Sequence, residues 1–184
     1  RGILCCPPNL PLLFSHSLIQ KFFVTSSEIE HDGYCQWPRL KETMVFCKRM
    51  GYKKIGLGFC IGFVKEARIV ADLFRNEGFT VVSAVCKSGG VDKTEAGIPD
   101  EKKLKPGQYE AMCNPILQAK LLNEQKTDFN IALGLCVGHD SLFYQYSEAR
   151  VTTLVVKDRV LAHNPVGAIY CADGYFKNRL KIEE

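Results

Sequence analysis

The chain has 184 residues, of which 46% are hydrophobic and 24% charged, so it can bury a core, and disordered or collagen-like chains are excluded. Its net charge of +4 is too small and too scattered to predict nucleic-acid binding, and no apolar run reaches the roughly 18 residues of a membrane helix. We therefore expect neither nucleic acid nor a membrane as a partner. The chain has nine cysteines, an odd number, and it is long enough to bury its own core. Metal binding or thiol chemistry therefore explains the cysteines better than a disulfide framework.

The first 27 residues differ in composition from the rest. They combine Cys5-Cys6-Pro7-Pro8 with an apolar stretch, Leu10 to Val24, that polar residues interrupt. The chain begins with Arg1 rather than Met, which indicates a fragment or a processed chain. A signal peptide is one interpretation, but prolines break the helix that its apolar region would need. We predict an irregular N-terminal arm over residues 1–27 and a single α/β domain over residues 28–184.

From residue 37 onward, short apolar runs alternate with amphipathic stretches. The runs are typical of buried parallel strands, and the stretches carry the apolar spacing of helices. The predicted elements are a helix from Pro38 to about Met50, a strand from Lys53 to Phe59, a helix from about Phe63 to Asn76, a strand from Phe79 to Val85, a helix capped by Asn114 and continuing through Leu122, a strand from Phe129 to Leu135, a helix from Gly138 through about Ser147, and a strand from Val151 to Val156. Val160-Leu161 with Val166 to Tyr170 is compatible with a last short strand.

This alternation predicts the fold class. Right-handed crossovers between parallel strands place helices on both faces of a sheet, so we expect a three-layer α/β sandwich of the flavodoxin-like or Rossmann-like type with a mostly parallel sheet. The connection from Lys87 to Glu110 is rich in glycine and proline. A connection of this length inside a compact domain is usually functional or mobile.

Three cysteines come directly after predicted strands, namely Cys60, Cys86 and Cys136. The carboxyl ends of parallel strands meet at one edge of a sheet, where ligands bind. Cys113 precedes the capped helix that leads into the next strand, so we expect it at the same edge. Thiolates near helix N-termini have a lowered pKa, and thiolates are preferred ligands of zinc and iron–sulfur clusters. The four cysteines are therefore predicted metal ligands, and the choice between zinc and a cluster stays open.

Basic side chains near these cysteines are candidate cofactor-binding residues. Four thiolates around a 2+ centre leave two negative charges, which Lys87, Lys93 and His139 could offset by charge or by hydrogen bonds to sulfur. Cys47 lies on the apolar stripe of a predicted helix, which is typical of a core residue. The remaining cysteines have no predicted role: Cys5, Cys6, Cys35 and Cys171.

Several long runs of the sequence resemble one family. They are EIEHDGY (Glu28 to Tyr34), CKRMGYKKIGLGFCIGFVKEARIV (Cys47 to Val70), CKSGGVDKTEAGIP (Cys86 to Pro99), AMCNPILQAKLLN (Ala111 to Asn123), LGLCVGHDSLF (Leu133 to Phe143) and TTLVVKDRVLAHNP (Thr152 to Pro165). Over about residues 28 to 170 the chain resembles a predicted metal-binding family of anaerobic prokaryotes, domain-of-unknown-function family 1847.

The resemblance implies a cytoplasmic, cysteine-rich protein of unassigned activity. The positions that it carries over are Cys60, Cys86, Cys113 and Cys136, with His139 beside the last. The family has a cysteine-rich N-terminal segment that ends in a Cys-Pro pair, and only Cys5, Cys6 and Pro7 correspond to it here. A second metal site in that segment is therefore in doubt.

Three functions compete. The leading hypothesis is a metal-binding protein, with a redox partner or a small-molecule substrate. The second is a thiol enzyme for sulfur or acyl transfer, in which Cys136 and His139 are the catalytic pair and the loop from Lys87 to Glu110 is a lid. The third is a module that binds a small anion or nucleotide at helix N-termini. A nicotinamide site is disfavoured because Gly56-x-Gly58-x-x-x-Gly62 lacks the dinucleotide spacing. No oligomeric state follows from the sequence.

Overall fold

The structure is a computed structural model and describes residues 17–182. Within this range the helices are α1 (Ser17–Gly33), α2 (Arg39–Met50), α3 (Val64–Asn76), α4 (Pro115–Glu124), α5 (His139–Tyr146) and α6 (Val166–Tyr170). The strands are β1 (Lys54–Phe59), β2 (Thr80–Val85), β3 (Phe129–Leu135) and β4 (Val151–Val156). Short 3-10 turns cover Ile61–Phe63 and Asp100–Lys102. None of the described helices is both long and apolar enough to cross a membrane.

The chain divides into two compact units, the first ending at Gly51 and the second beginning at Tyr52. The first contains α1 and α2, whose Phe22 and Phe46 rings meet edge to face at 4.8 Å. Cys47 is fully buried in this unit, as expected of a core residue, and burial raises the pKa of its thiol to about 12. This thiol therefore stays protonated at neutral pH.

The second unit is built on a four-stranded sheet in the order β2-β1-β3-β4, and all its strand pairs are parallel. The chain moves from β1 to β2 in one direction and from β2 through β3 to β4 in the other. Right-handed crossovers therefore place α3 on one face of the sheet and α4 and α5 on the opposite face. Every residue of β3 is buried. The predicted α/β class with a parallel sheet is confirmed.

The core beneath α4 and α5 depends on a glycine in β1. It contains Ala84, Ala119, Leu122, Ala132, Leu135 and Phe143. A Cβ on Gly58 would lie 2.5 Å from the Phe143 ring, so only glycine lets α5 approach the sheet this closely. The fully buried ring fills the space above β1 that a side chain would otherwise occupy.

Two expected elements differ from the structure. The irregular arm expected over residues 1–27 is helical from Ser17 onward, and the boundary expected at residue 28 falls within α1. Residues 1–16, including Cys5 and Cys6, lie outside the described residues. The prediction of a last short strand is wrong, because Val166–Tyr170 is the helix α6. Pro165, with φ −62° and ψ −20°, is already helical and leads into that helix.

The long connection between β2 and α4 is held by ion pairs. The Lys103 side chain is only 4% exposed and lies 2.7 Å from the Asp92 carboxylate, while Lys93 pairs with Glu110 at 2.5 Å. Asp92 also accepts hydrogen bonds from the backbone of Thr94 and of Glu110. These contacts tie the beginning of the connection to its end, so it is a folded element despite its glycine- and proline-rich composition.

Candidate thiol site at the carboxyl edge of the sheet

The site lies where the strand order reverses, which is the usual place for a ligand in an open parallel sheet. The chain leaves β1 toward β2 on one side and returns as β3 on the other side. Cys60 follows β1 and donates its backbone N–H to Leu133 O (3.1 Å). Cys86 follows β2 and donates its N–H to Phe59 O (2.9 Å). The sheet ladder thus continues one residue past each strand and fixes the backbone of both cysteines.

Cys113 reaches the same edge through the start of α4. The backbone N–H of Asn114 donates to Cys86 O (2.7 Å), and the Asn114 side chain caps the helix by accepting from Leu117 N (2.9 Å). These contacts bring the sulfurs of Cys113 and Cys86 to 3.7 Å. Residues 27 positions apart in the chain therefore become direct neighbours.

Cys86 is the central sulfur of a group of three. Its thiol shares hydrogen bonds with Cys113 and Cys60, which raises the pKa of Cys86, while the Ile61 N–H donates to its sulfur at 3.3 Å. The Cys86 thiol in turn lowers the pKa of Cys60 to about 5, with help from the Gly62 N–H and Lys157. Hydrogen bonding within the group therefore favours the charged form of Cys60 and Cys113 over that of Cys86.

The same contact lowers the pKa of Cys113 to about 6. Hydrogen bonding to Cys86 is the largest cause, and the positive charges of Lys87 and His139 add to it. Lys87 is itself anchored, because its ammonium donates to Ala111 O. The contacts around Cys86 therefore favour the thiolate form of both Cys60 and Cys113.

Two cations that the sequence analysis did not select complete the edge. The Lys157 Nζ lies 3.3 Å from the Cys60 sulfur, and an Arg159 guanidinium nitrogen lies 3.2 Å from the Cys136 sulfur. Lys157 directly follows β4, so the rule that located three of the cysteines would also have located this lysine. It was missed because basic residues were selected only near cysteines in the sequence, and no cysteine follows β4 directly.

A tight turn after β4 presents these cations. Asp158 Oδ1 accepts the backbone N–H groups of Val160 and Leu161, both at 3.0 Å, and the Asp158 N–H donates to His163 Nδ1 at 3.1 Å. Ala162 and His163 have φ values of +49° and +66°, a backbone region that residues other than glycine rarely adopt. Such backbone strain is typical of functional sites.

A bulge near the end of β3 sets the position of Cys136. Gly134 has φ +64°, and the pairing of β3 with β4 shifts register on both sides of Leu133. A Cβ on Gly134 would lie 2.2 Å from the Phe63 ring, which in turn packs beneath the Lys157 ammonium at 4.4 Å. The bulge thus links the position of Cys136 to that of Phe63 and Lys157.

The predicted ligands are only partly gathered. Cys60, Cys86 and Cys113 form one hydrogen-bonded group, whereas the Cys136 sulfur faces Arg159. Within residues 17–182, no set of three or more His, Cys, Asp or Glu side chains is arranged to hold a metal ion. The four sulfurs share one edge and one set of cations, but they do not form a ready-made coordination sphere.

The other predicted site residues have mixed positions. Lys93 is engaged by Glu110 and makes no hydrogen bond to a cysteine within the described chain. The expected pair of Cys136 and His139 is not joined by a hydrogen bond in the same range; His139 is instead one of the groups that contribute to the lowered pKa of Cys113. The remaining free cysteines of the described chain, Cys35 and Cys171, are exposed.

Fold and site together define an α/β protein with a cluster of thiols and cations at the switch point of a parallel sheet. Residues 12–154 match the family described as protein of unknown function DUF1847, and the chain belongs to that family. It is also 51% identical over 150 residues to an uncharacterised protein of Methanocaldococcus jannaschii, an alignment that covers 82% of this chain and 76% of the relative. The family match includes all four cysteines and ends before Lys157.

Proposed function

We propose that the thiol cluster binds one thiophilic metal ion, with Cys60, Cys86, Cys113 and Cys136 as ligands. The observation that carries this proposal is the separation of 3.7 Å between the sulfurs of Cys86 and Cys113. Two sulfurs bound at about 2.3 Å to one tetrahedral zinc ion lie about 3.8 Å apart. Two of the four ligands therefore already have the spacing of a shared metal ion.

The charge around the sulfurs also supports metal binding. Four thiolates and a divalent ion carry a net charge of about −2, which must be offset for the site to form. Lys157 and Arg159 contact two of the sulfurs directly, and the Ile61 N–H donates to a third. Hydrogen bonds of this kind to ligating sulfur stabilise metal–thiolate centres.

Binding would require two local changes. Cys86, whose pKa is raised, must be deprotonated, because only the thiolate coordinates a metal. The Cys136 side chain must also turn from Arg159 toward the other three sulfurs. The backbone positions are set by the sheet, so both changes concern side chains at the end of fixed strands. We favour a single zinc or iron ion over a [4Fe–4S] cluster, in which each iron takes its own cysteine and the sulfurs stay farther apart.

Metal content and a matched pair of cysteine variants test this proposal. Protein purified without oxygen should contain about one zinc or iron ion per chain by elemental analysis. The metal-free protein should bind Co²⁺ with a thiolate-to-metal absorption band. Cys86→Ser should weaken Co²⁺ binding more than about 100-fold, because it removes the central ligand. Cys171→Ser changes an exposed cysteine and should leave binding unchanged.

The opposite results would be clear. Protein with neither zinc nor iron that also fails to bind Co²⁺ would exclude the metal site, as would a Cys86→Ser variant with full affinity. Several irons with acid-labile sulfide would replace the single ion by a cluster.

A second candidate function is nucleophilic thiol chemistry, supported by the contact of Cys60 with the Lys157 ammonium at 3.3 Å. A cation beside a thiolate is the usual arrangement of a reactive cysteine. The nucleophile would then be Cys60, whose pKa is lowered by Cys86 and in part by Lys157. Cys136, which contacts Arg159 at 3.2 Å, stays the other candidate. Metal-free protein in which neither Cys60 nor Cys136 alkylates faster than the exposed Cys171 would exclude this function.

A further inference from the structure

A buried glutamine connects the helix beneath the site to both strands that carry the central thiols. Gln118 lies in α4 and is completely buried. Its Nε2 donates to Ala84 O at 2.7 Å and to Phe59 O at 3.1 Å. One side chain thus binds the carboxyl ends of β1 and β2 simultaneously.

The two carbonyl groups lie one and two residues before the thiols in the chain. Phe59 immediately precedes Cys60, and its carbonyl also accepts the N–H of Cys86 at 2.9 Å. Ala84 stands two residues before Cys86. The Gln118 amide therefore fixes the peptide groups that set the separation of these two sulfurs.

Gln118 is also tied to the third thiol of the group. Its backbone N–H donates to Asn114 O at 3.1 Å, in the first turn of α4, and the Asn114 N–H donates to Cys86 O. Asn114 directly follows Cys113. The glutamine thus lies one helical turn from the point where the third sulfur enters the site.

The position is one that packing alone would give to an apolar residue. Ala119 and Leu122, the other fully buried residues of α4, pack against the sheet. A glutamine there buries an amide whose Oε1 has no hydrogen-bond partner among residues 17–182. An unpaired buried polar atom is destabilising, so a methionine of similar size would avoid a penalty that the glutamine incurs.

We infer that Gln118 is a positioning residue that holds Cys60 and Cys86 at their working separation through the carbonyl groups of Phe59 and Ala84. It touches no sulfur itself. Its effect on metal affinity rests on the proposed metal site, whereas its effect on the spacing of the thiols does not.

The test replaces the buried amide at each edge of the sheet. Gln118→Met keeps the size of the side chain and removes both donated hydrogen bonds. Asn130→Leu is the matched control, because Asn130 is equally buried, also has an unpartnered amide atom, and lies near the amino end of β3. Gln118→Glu, which keeps the shape but offers the two carbonyls no N–H, is the second variant if the methionine protein fails to fold. Circular dichroism and thermal melting confirm that each variant is folded.

Two readouts are measured on the full chain. The first is the dissociation constant for Co²⁺ with its thiolate absorption band. The second is the rate at which phenylarsine oxide, which binds two neighbouring thiols, captures Cys60 together with Cys86, followed by mass spectrometry. We expect Gln118→Met to weaken Co²⁺ binding about tenfold or more and to slow capture by a similar factor, with Asn130→Leu close to wild type in both.

Each result decides between positioning and simple packing. Wild-type capture and affinity in a folded Gln118 variant, or equal losses in Asn130→Leu, would overturn the inference. If wild-type protein binds no Co²⁺ but the Gln118 variant still slows capture, the proposed metal site fails and the positioning role stands.

Discussion

The two edges of the sheet use their polar groups differently. At the amino edge, Asp128 accepts the backbone N–H groups of Lys53 at 2.7 Å and Lys54 at 2.8 Å. The Thr127 hydroxyl donates to the Asn130 side chain at 2.7 Å. In two of these three hydrogen bonds the donor is a backbone N–H group. The polar groups of this edge therefore mainly stabilise the start of the strands.

At the carboxyl edge the polar contacts join side chains from distant parts of the chain. Lys157 and Cys60 are 97 residues apart, and Arg159 and Cys136 are 23 apart. A charged nitrogen beside a sulfur contributes little to holding the backbone in place, but it lowers the pKa of the thiol and changes its reactivity. One edge mainly stabilises the fold and the other gathers the candidate functional groups, and four predictions test that division.

The largest effect is expected at the bulge of β3. Gly134→Val places a β-branched side chain at φ +64° and against the Phe63 ring, so it should lower the free energy of unfolding by about 3–5 kcal/mol. The matched control at the amino edge is Gly78→Val, which has φ +86° with open space around it and should cost about 1–2 kcal/mol. Chemical denaturation measures both. Equal losses would mean that Phe63 moves aside freely and that the bulge is not held by packing.

The next effect concerns the ion pair that holds the connection before α4. Hydrogen bonds from Lys103 and then from Thr94 hold the pKa of Asp92 well below its usual range, and the carboxylate raises the pKa of Lys103. Because the folded pKa of Asp92 is depressed, its stabilisation is complete above the unfolded value of about 3.9 and is lost as the pH falls below it. The free energy of unfolding of wild type minus that of Asp92→Asn should therefore be largest near neutral pH and shrink in acid.

Urea denaturation at several pH values measures that difference. Asp128→Asn, a carboxylate substitution at the amino edge, is the comparison variant for the size of the loss at neutral pH. A difference between wild type and Asp92→Asn that does not change with pH would show that the carboxylate contributes no charge-dependent stability.

A smaller effect is expected when the cation next to Cys60 is removed. Lys157→Met takes a positive charge away from 3.3 Å, which raises the pKa of Cys60. If the rise is about one unit, alkylation of Cys60 in metal-free protein slows about fivefold at about pH 5 and less than about twofold at about pH 7. Iodoacetamide labelling read by mass spectrometry gives the rate, with the exposed Cys171 as internal reference. An unchanged rate at both pH values would contradict the electrostatic role of Lys157.

The smallest effect is expected at the amino edge. Asp128→Ala removes the acceptor of two exposed backbone N–H groups. Because water can accept these hydrogen bonds instead, the substitution should lower the free energy of unfolding by only about 1 kcal/mol. The alkylation rates of Cys60 and Cys113 should not change. A change in thiol reactivity from this distant substitution would break the division between the two edges.

Much of the site could be predicted because parallel strands place their ends in register. Cys60, Cys86 and Cys136 follow three strands, and that fact alone brings them to one edge. Helix capping by Asn114 similarly located Cys113. The sequence could not predict that three sulfurs form one group while the Cys136 sulfur contacts Arg159. This arrangement depends on side-chain contacts of Lys157 and Arg159 that no local pattern encodes.

The errors in secondary structure have a related cause. Val166–Tyr170 is a short apolar run, and such a run is compatible with either a strand or a helix until its neighbours are known. The contacts within the connection before α4 could not be predicted either, because glycine and proline indicate only a loop, whereas these contacts depend on the nearly buried Lys103 and its carboxylate partner.

Local pattern by itself determined the alternation of strands and helices, the parallel sheet, and the edge on which the cysteines stand, because hydrophobic spacing and strand ends are local properties of a chain. Only the tertiary structure decided which sulfurs touch, which cations face them, and that Gln118 joins β1 to β2 beneath them. Those contacts connect residues tens of positions apart. Their distances depend on how the side chains pack, which the spacing of hydrophobic residues along the chain does not specify.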